Sequence, residues 1–129
     1  MTEEYENSGY INIAMVILKQ IADTSAAYSK GDPNFSSHVK ALEMILSYLN
    51  DDKFDANYEK INEEQNKQIE KWNKEYEGVD EGTSEYNESR QEAMKIEVEA
   101  SKKKLVELMR LAGRKGLLTT GGAVVTDND

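Results

Sequence analysis

The sequence contains no cysteine, one histidine and one proline in 129 residues. Without cysteine there is no disulfide framework, no thiol nucleophile and no thiolate metal site, and a reducing cytoplasm is the natural setting. His38 is the sole imidazole. A helical di-metal site needs a glutamate three positions before such a histidine, and Phe35 stands there instead, so His38 reads as a surface residue near a helix start. Long apolar runs are absent too. The longest, Ile13 to Leu18, falls far short of the roughly 20 residues that cross a bilayer. The first residues, Met1 to Glu6, are acidic, whereas a secretory signal opens on positive charge followed by an apolar stretch, so neither export nor a membrane partner is expected.

What the chain does have is charge. Acids outnumber bases by 25 to 16, giving a net charge of -9, and charged residues make up 32% against 38% hydrophobic. Such an excess repels phosphate, which disfavours nucleic acid and anionic membrane as partners and favours other proteins. At this length the prior is one domain, with folding dependent on long helices sharing a narrow apolar seam.

The fold class expected is all-α, four helices in two antiparallel hairpins. Residues 1–116 form the domain, an apolar hairpin over 10–50 followed by a long, charged, coiled-coil-like one over 52–113. The first helix is predicted to start after Asn7 or Ser8 and to stop before Gly31-Asp32-Pro33. Ile11 to Ile21 is apolar around nearly the whole circumference, so this helix needs cover on several sides. A second helix, Ser36 to Asn50, places Val39, Leu42, Ile45, Leu46 and Leu49 on one face. Asp52 or Asp55 is expected to cap a third helix reaching Glu77, whose sparse seam is Tyr58, Ile61, Ile69, Trp72 and Tyr76 with Gln65 interrupting it. Thr83 or Ser84 caps a fourth, ending at Ala112 with Gly113 as left-handed cap. Leu117 to Thr126, two β-prone runs around Gly121-Gly122, reads either as a β-hairpin or as a flexible tail within 117–129. Core or interface positions are expected at Val16, Leu18, Leu42, Ile45, Leu49, Ile61, Ile69, Trp72, Met94, Val98, Leu105 and Leu108.

Motifs for catalysis or cofactors do not emerge. Asp32, Asn34, Ser36 and Glu43 fit a calcium-loop frame only superficially, because Ser37 replaces the turn glycine, and capping of the second helix explains the same residues. Gly113-Arg114-Lys115-Gly116 lacks the spacing of a phosphate loop. Catalysis by carboxylates requires two in unequal environments, and nothing selects a pair. Glu63 with Lys67, Glu70 with Lys74 and Glu99 with Lys103 instead have the spacing of an exposed helix face. No catalytic, cofactor-binding or metal residue is therefore assigned, and an enzyme is not expected. Lys102, Lys103, Arg114 and Lys115, at the basic end of the fourth helix, are candidates for contact with phosphate or an acidic partner, although the helix dipole alone favours bases there.

Helix length out of proportion to apolar cover points to self-association. The interface expected comprises Ile61, Ile69, Trp72, Met94, Val98, Leu105, Leu108, Leu117 and Val124. In architectural outline, a helical hairpin followed by a small closing β element resembles the ring-forming small terminase subunits of tailed phages. That resemblance implies a homo-oligomeric viral assembly protein, located in host cytoplasm or virion. The helix-turn-helix usual at their amino termini is not recognisable in Tyr10 to Leu49, which argues against DNA recognition. The alternative is an acidic regulator that binds and inhibits a protein partner by nucleic-acid mimicry.

Overall fold

A computed structural model describes residues 2–117, with side chains described from Asn12 onward, and among the described residues all regular structure is helical. The elements are α1 (Thr2–Ser29), α2 (Phe35–Leu46), α3 (Asp52–Glu75) and α4 (Ser84–Arg114). Residues 118–129, and with them Val124 and most of the expected hairpin, lie outside the described residues.

Several boundaries differ from expectation, each for a local reason. α1 begins at Thr2 rather than after Asn7 or Ser8, because Glu3, Glu4 and Glu6 suit the positive end of a helix and propagate it well. α2 starts at Phe35 and stops at Leu46, short of Asn50. Just beyond it the Ser47 hydroxyl donates to the Met44 carbonyl at 2.8 Å, taking up an acceptor at the helix end. The cap of α3 is Asp51, not Asp52 or Asp55: its backbone is extended, and its carboxylate accepts from the Phe54 amide at 2.8 Å. That choice brings Phe54 into the first turn and into the core. Thr83 caps α4 through the Tyr86 amide at 3.1 Å.

The helix continues through Gly113, so the expected left-handed cap moves to Gly116, where φ is +71°. Here the Leu117 amide donates to the Ala112 carbonyl at 2.8 Å and the Gly116 amide to the Gly113 carbonyl at 3.1 Å. This is the Schellman arrangement, and Leu117 closes it by packing on the core beside Ala112. Gly31 ends α1 in the same way, with φ +66° and the Asp32 amide bonded to the Ala27 carbonyl at 2.9 Å.

The core is concentrated at one end of the molecule. Ile17 and Ile21 of α1, Phe35, Val39, Leu42 and Leu46 of α2, Phe54 and Tyr58 of α3, and Leu105, Leu108 and Leu111 of α4 form a single buried cluster. Each large aliphatic among them contributes about 1.5–3 kcal/mol by burial. Past Tyr58 on α3 and before Ala100 on α4 the packing thins: Ser89 is the one buried residue of α4 in that stretch, and α3 has none. Cross-contacts join Asp51 to Arg114, Asn57 to Glu107, Glu64 to Lys103 and Trp72 to Ser89, so α4 descends as α3 rises. The two helices thus leave the core together as an arm on the order of 25 Å long, at 1.5 Å per residue.

Candidate interaction surfaces

Four of the expected core or interface positions prove to be exposed. Val16 is 56% exposed, Met94 58%, Ile69 38% and Val98 36%. On α1 the core positions are Ile17, Ile21 and Ala27, with Thr24 also buried. The Thr24 hydroxyl donates to the Gln20 carbonyl at 2.7 Å, which satisfies it inside the helix. Because the segment is apolar all round, periodicity alone does not choose between Val16 and Ile17; contact with α2 does.

Leu105 and Leu108 are core residues of the single chain, at 6% and 0% exposure, and are not available to another molecule. Leu117 is likewise half-buried against its own core. Ile61 and Trp72 are half-buried between α3 and α4, where the indole Nε1–H donates to the Ser89 carbonyl at 2.8 Å. Of the arm positions expected at an interface, Ile69, Met94 and Val98 remain on the surface. Met94 and Val98 line one side of a groove of about 420 Å³, with Tyr28, Pro33 and Phe35 opposite and Lys102 at its edge.

The basic end of α4 is largely engaged within the chain. Arg114 donates from both Nε and Nη2 to the two oxygens of Asp51, at 3.1 and 2.9 Å. Lys115 Nζ reaches the Asn50 carbonyl at 2.8 Å and lies 3.8 Å from Asp51. Lys103 pairs across the arm with Glu64 at 3.2 Å, and Lys102 with Glu99 at 3.3 Å while its ammonium sits over the Tyr28 ring. Lys103 therefore does not pair with Glu99, and neither Glu63–Lys67 nor Glu70–Lys74 forms an ion pair among the described residues. The Arg114 guanidinium holds the Asp51 carboxyl below its usual pKa, against the opposing effect of burial. Asp51 thereby anchors both the start of α3 and the end of α4.

Two further polar groups are built into the core margin. Tyr58 donates to Glu43 at 2.8 Å, and burial together with that carboxylate pushes the phenol far above its usual pKa. Glu107, only 7% exposed, accepts from Arg110 at 2.9 Å and from Asn57 at 3.2 Å. Both are structural ties between helices. His38 is half-buried at the start of α2, 4.0 Å from Asp32. Among the described residues no group of three metal-ligating side chains converges, and no helix is long and apolar enough to cross a membrane. Comparison of the chain with family models, with curated proteins and with solved structures finds no match.

Sequence reasoning singled out Val16 but not the exposed apolar residues around it on α1 and α2. Met15 and Val16 on α1, Met44 near the end of α2 and Tyr48 just beyond it are 54–71% exposed. Ile13, Val16 and Ile45 together line an open hollow of about 290 Å³ at the seam of the two helices. The signal was present in the all-round apolar character of Ile11 to Ile21. What it lacked was the length of α2, which at 12 residues is less than half that of α1.

Proposed function

We propose that this protein is a non-enzymatic, self-associating helical component with a structural or adaptor role. The observation that carries the reading is the exposed apolar surface of α1, where Met15 is 63% and Val16 56% exposed in a strongly charged chain. Contiguous exposed apolar surface in an otherwise charged protein marks a protein–protein contact. Contacts of Tyr28 with Phe35, Gln20 with the His38 carbonyl, and Ile13 and Val16 with Ile45 run in opposite order along α1 and α2, and with the cross-contacts of α3 and α4 they support an organisation of two helical hairpins, the second coiled-coil-like in its length. The resemblance in sequence outline to ring-forming small terminase subunits is what suggests a viral assembly setting for the same behaviour.

Solution mass tests it. Sedimentation of the full chain and of a chain ending at Leu117, followed up to about 100 µM to cover weak as well as stable interfaces, is expected to show a species larger than the monomer in both. A monomer throughout overturns the reading. A second reading, an acidic regulator of one protein partner, is favoured by the exposed carboxylates Glu59, Glu63, Glu70 and Glu75 along α3. It predicts a monomer whose partner binding weakens steeply with salt.

A further inference from the structure

We infer that a second copy of this chain docks on the outer face of α1, antiparallel to it, with Lys19 of each copy opposite Asp23 of the other. The inference rests on the self-association proposed above and assigns it a place and a register. Met15, Val16, Lys19, Ala22, Asp23 and Ala26 recur at three-and-four spacing along α1, and all are exposed. They form one continuous stripe on the side turned away from Ile17, Ile21 and Thr24. Lys19 and Asp23 make no ion pair with any described residue.

Charge decides which surface is able to meet itself. A chain of net charge -9 repels its own copy, and the carboxylates of α3 and α4 would face each other across any contact made by the arm. Residues 13–29 of α1 are different: they carry only Lys19 and Asp23, so this stretch is neutral, while Glu3, Glu4 and Glu6 lie farther toward the amino terminus. Association there incurs the least repulsion. Exposed apolar side chains occur on both parts of the molecule, Ile69, Met94, Val98 and Val106 on the arm and Met15 and Val16 on α1, so the charge around them decides between the two.

The stripe further selects direction. In a parallel pair Lys19 would lie against Lys19 and Asp23 against Asp23. Antiparallel pairing about Ile21 makes the contact isologous, places two Lys19–Asp23 pairs symmetrically, and sets Val16 of each copy against Ala26 of the other. With the pairing centred at Ile21, residues 13–29 of the two copies overlap over about 25 Å and cover roughly 250–300 Å² per copy, which places the contact among weak, reversible interfaces.

The test is a charge-swap experiment on the full chain. Lys19→Glu makes the stripe uniformly negative and Asp23→Lys makes it uniformly positive; both positions are exposed and both replacements are good helix formers, so the fold is retained, as circular dichroism checks. Each variant alone is expected to self-associate at least tenfold more weakly than the parent, and an equimolar mixture is expected to recover association between the two. Met94→Asp and Val98→Asp, on the arm, are expected to leave association unchanged. If the parent is monomeric at every concentration, the self-association reading itself falls. If the parent associates but the two swaps leave it undiminished, or the mixture fails to recover it, or the arm substitutions abolish it, the α1 interface is wrong while self-association stands.

Discussion

Removing the Asp51 carboxylate should uncouple two helix ends at once. Its Oδ1 accepts from the Phe54 amide at 2.8 Å and from Arg114 Nη2 at 2.9 Å, its Oδ2 accepts from Arg114 Nε at 3.1 Å, and Lys115 lies 3.8 Å away. The group sits at the positive end of α3 and binds cations at the negative end of α4, so both helix dipoles favour it. Asp51→Asn keeps a competent cap and loses the charge; Asp51→Ala loses both. With side-chain exposures of 12% and 17%, the Asp51–Arg114 pair falls between a surface pair and a buried one. Breaking it by the Asn change should cost about 2 kcal/mol. Loss of the cap in the Ala variant adds roughly 1 kcal/mol. For a chain of this size each kcal/mol moves the melting midpoint by about 4 °C, so decreases near 8 and 12 °C are expected. Thermal melts followed by circular dichroism read this directly, and a double-mutant cycle with Arg114→Met should give a coupling of at least about 1 kcal/mol.

The pH dependence supplies an independent check. Asp51 has a folded pKa held below its unfolded value by Arg114, so its contribution is fully present above the unfolded value and is lost as pH falls through the folded one. The gap in melting temperature between the parent and Asp51→Asn should be constant near neutrality and shrink below about pH 4. An Asp51→Ala midpoint within about 2 °C of the parent, where roughly 12 °C is expected, would refute the reasoning, as would a gap that persists undiminished into strong acid.

The other expectations follow the same ties. Tyr58 has a phenol pKa raised by burial and by Glu43, so its neutral form stabilises the fold up to the unfolded value near 10 and ceases to do so as pH climbs beyond it; Tyr58→Phe should cost about 1 kcal/mol at pH 7 and make alkaline melts less steep in pH. Leu105→Asp places an unpaired carboxylate at a 6% exposed position and should abolish the cooperative melt; a retained transition within a few degrees of the parent contradicts the core assignment. Gly116→Val forces a β-branched residue to φ +71° and should lower stability by at least about 1 kcal/mol in urea titration, although no side chain crowds the site. Hydrogen exchange should be faster along residues 62–75 and 84–98 than along Leu105–Ala112, and equal protection would mean that the arm is as firmly packed as the core.

Helix number, order and approximate limits were legible because stop signals and stripes are local: Gly31-Asp32-Pro33, the Val39–Leu46 face and the Thr83 cap each act within a few residues. The misplacements arose where one local signal competed with another. Asp51, Asp52 and Asp55 are equivalent as cap candidates in sequence; only the requirement that Phe54 enter the core and that Arg114 meet a carboxylate singles out Asp51. Gly113 and Gly116 are equally eligible as helix stops, and packing of Leu117 beside Ala112 decides for the later one. Leu105 and Met94 share a stripe on α4, yet one is buried and the other 58% exposed, because a stripe says which way residues face and not how far the neighbouring helices extend. The same limit hid the outer face of α1. An all-round apolar helix announces that several sides need cover, but which side is left open depends on how short α2 is and where α4 ends, and those are properties of the assembled fold. The balance of Lys19 against Asp23 within residues 13–29, by contrast, is readable from sequence, and it is the charge pattern on which the proposed α1 contact rests.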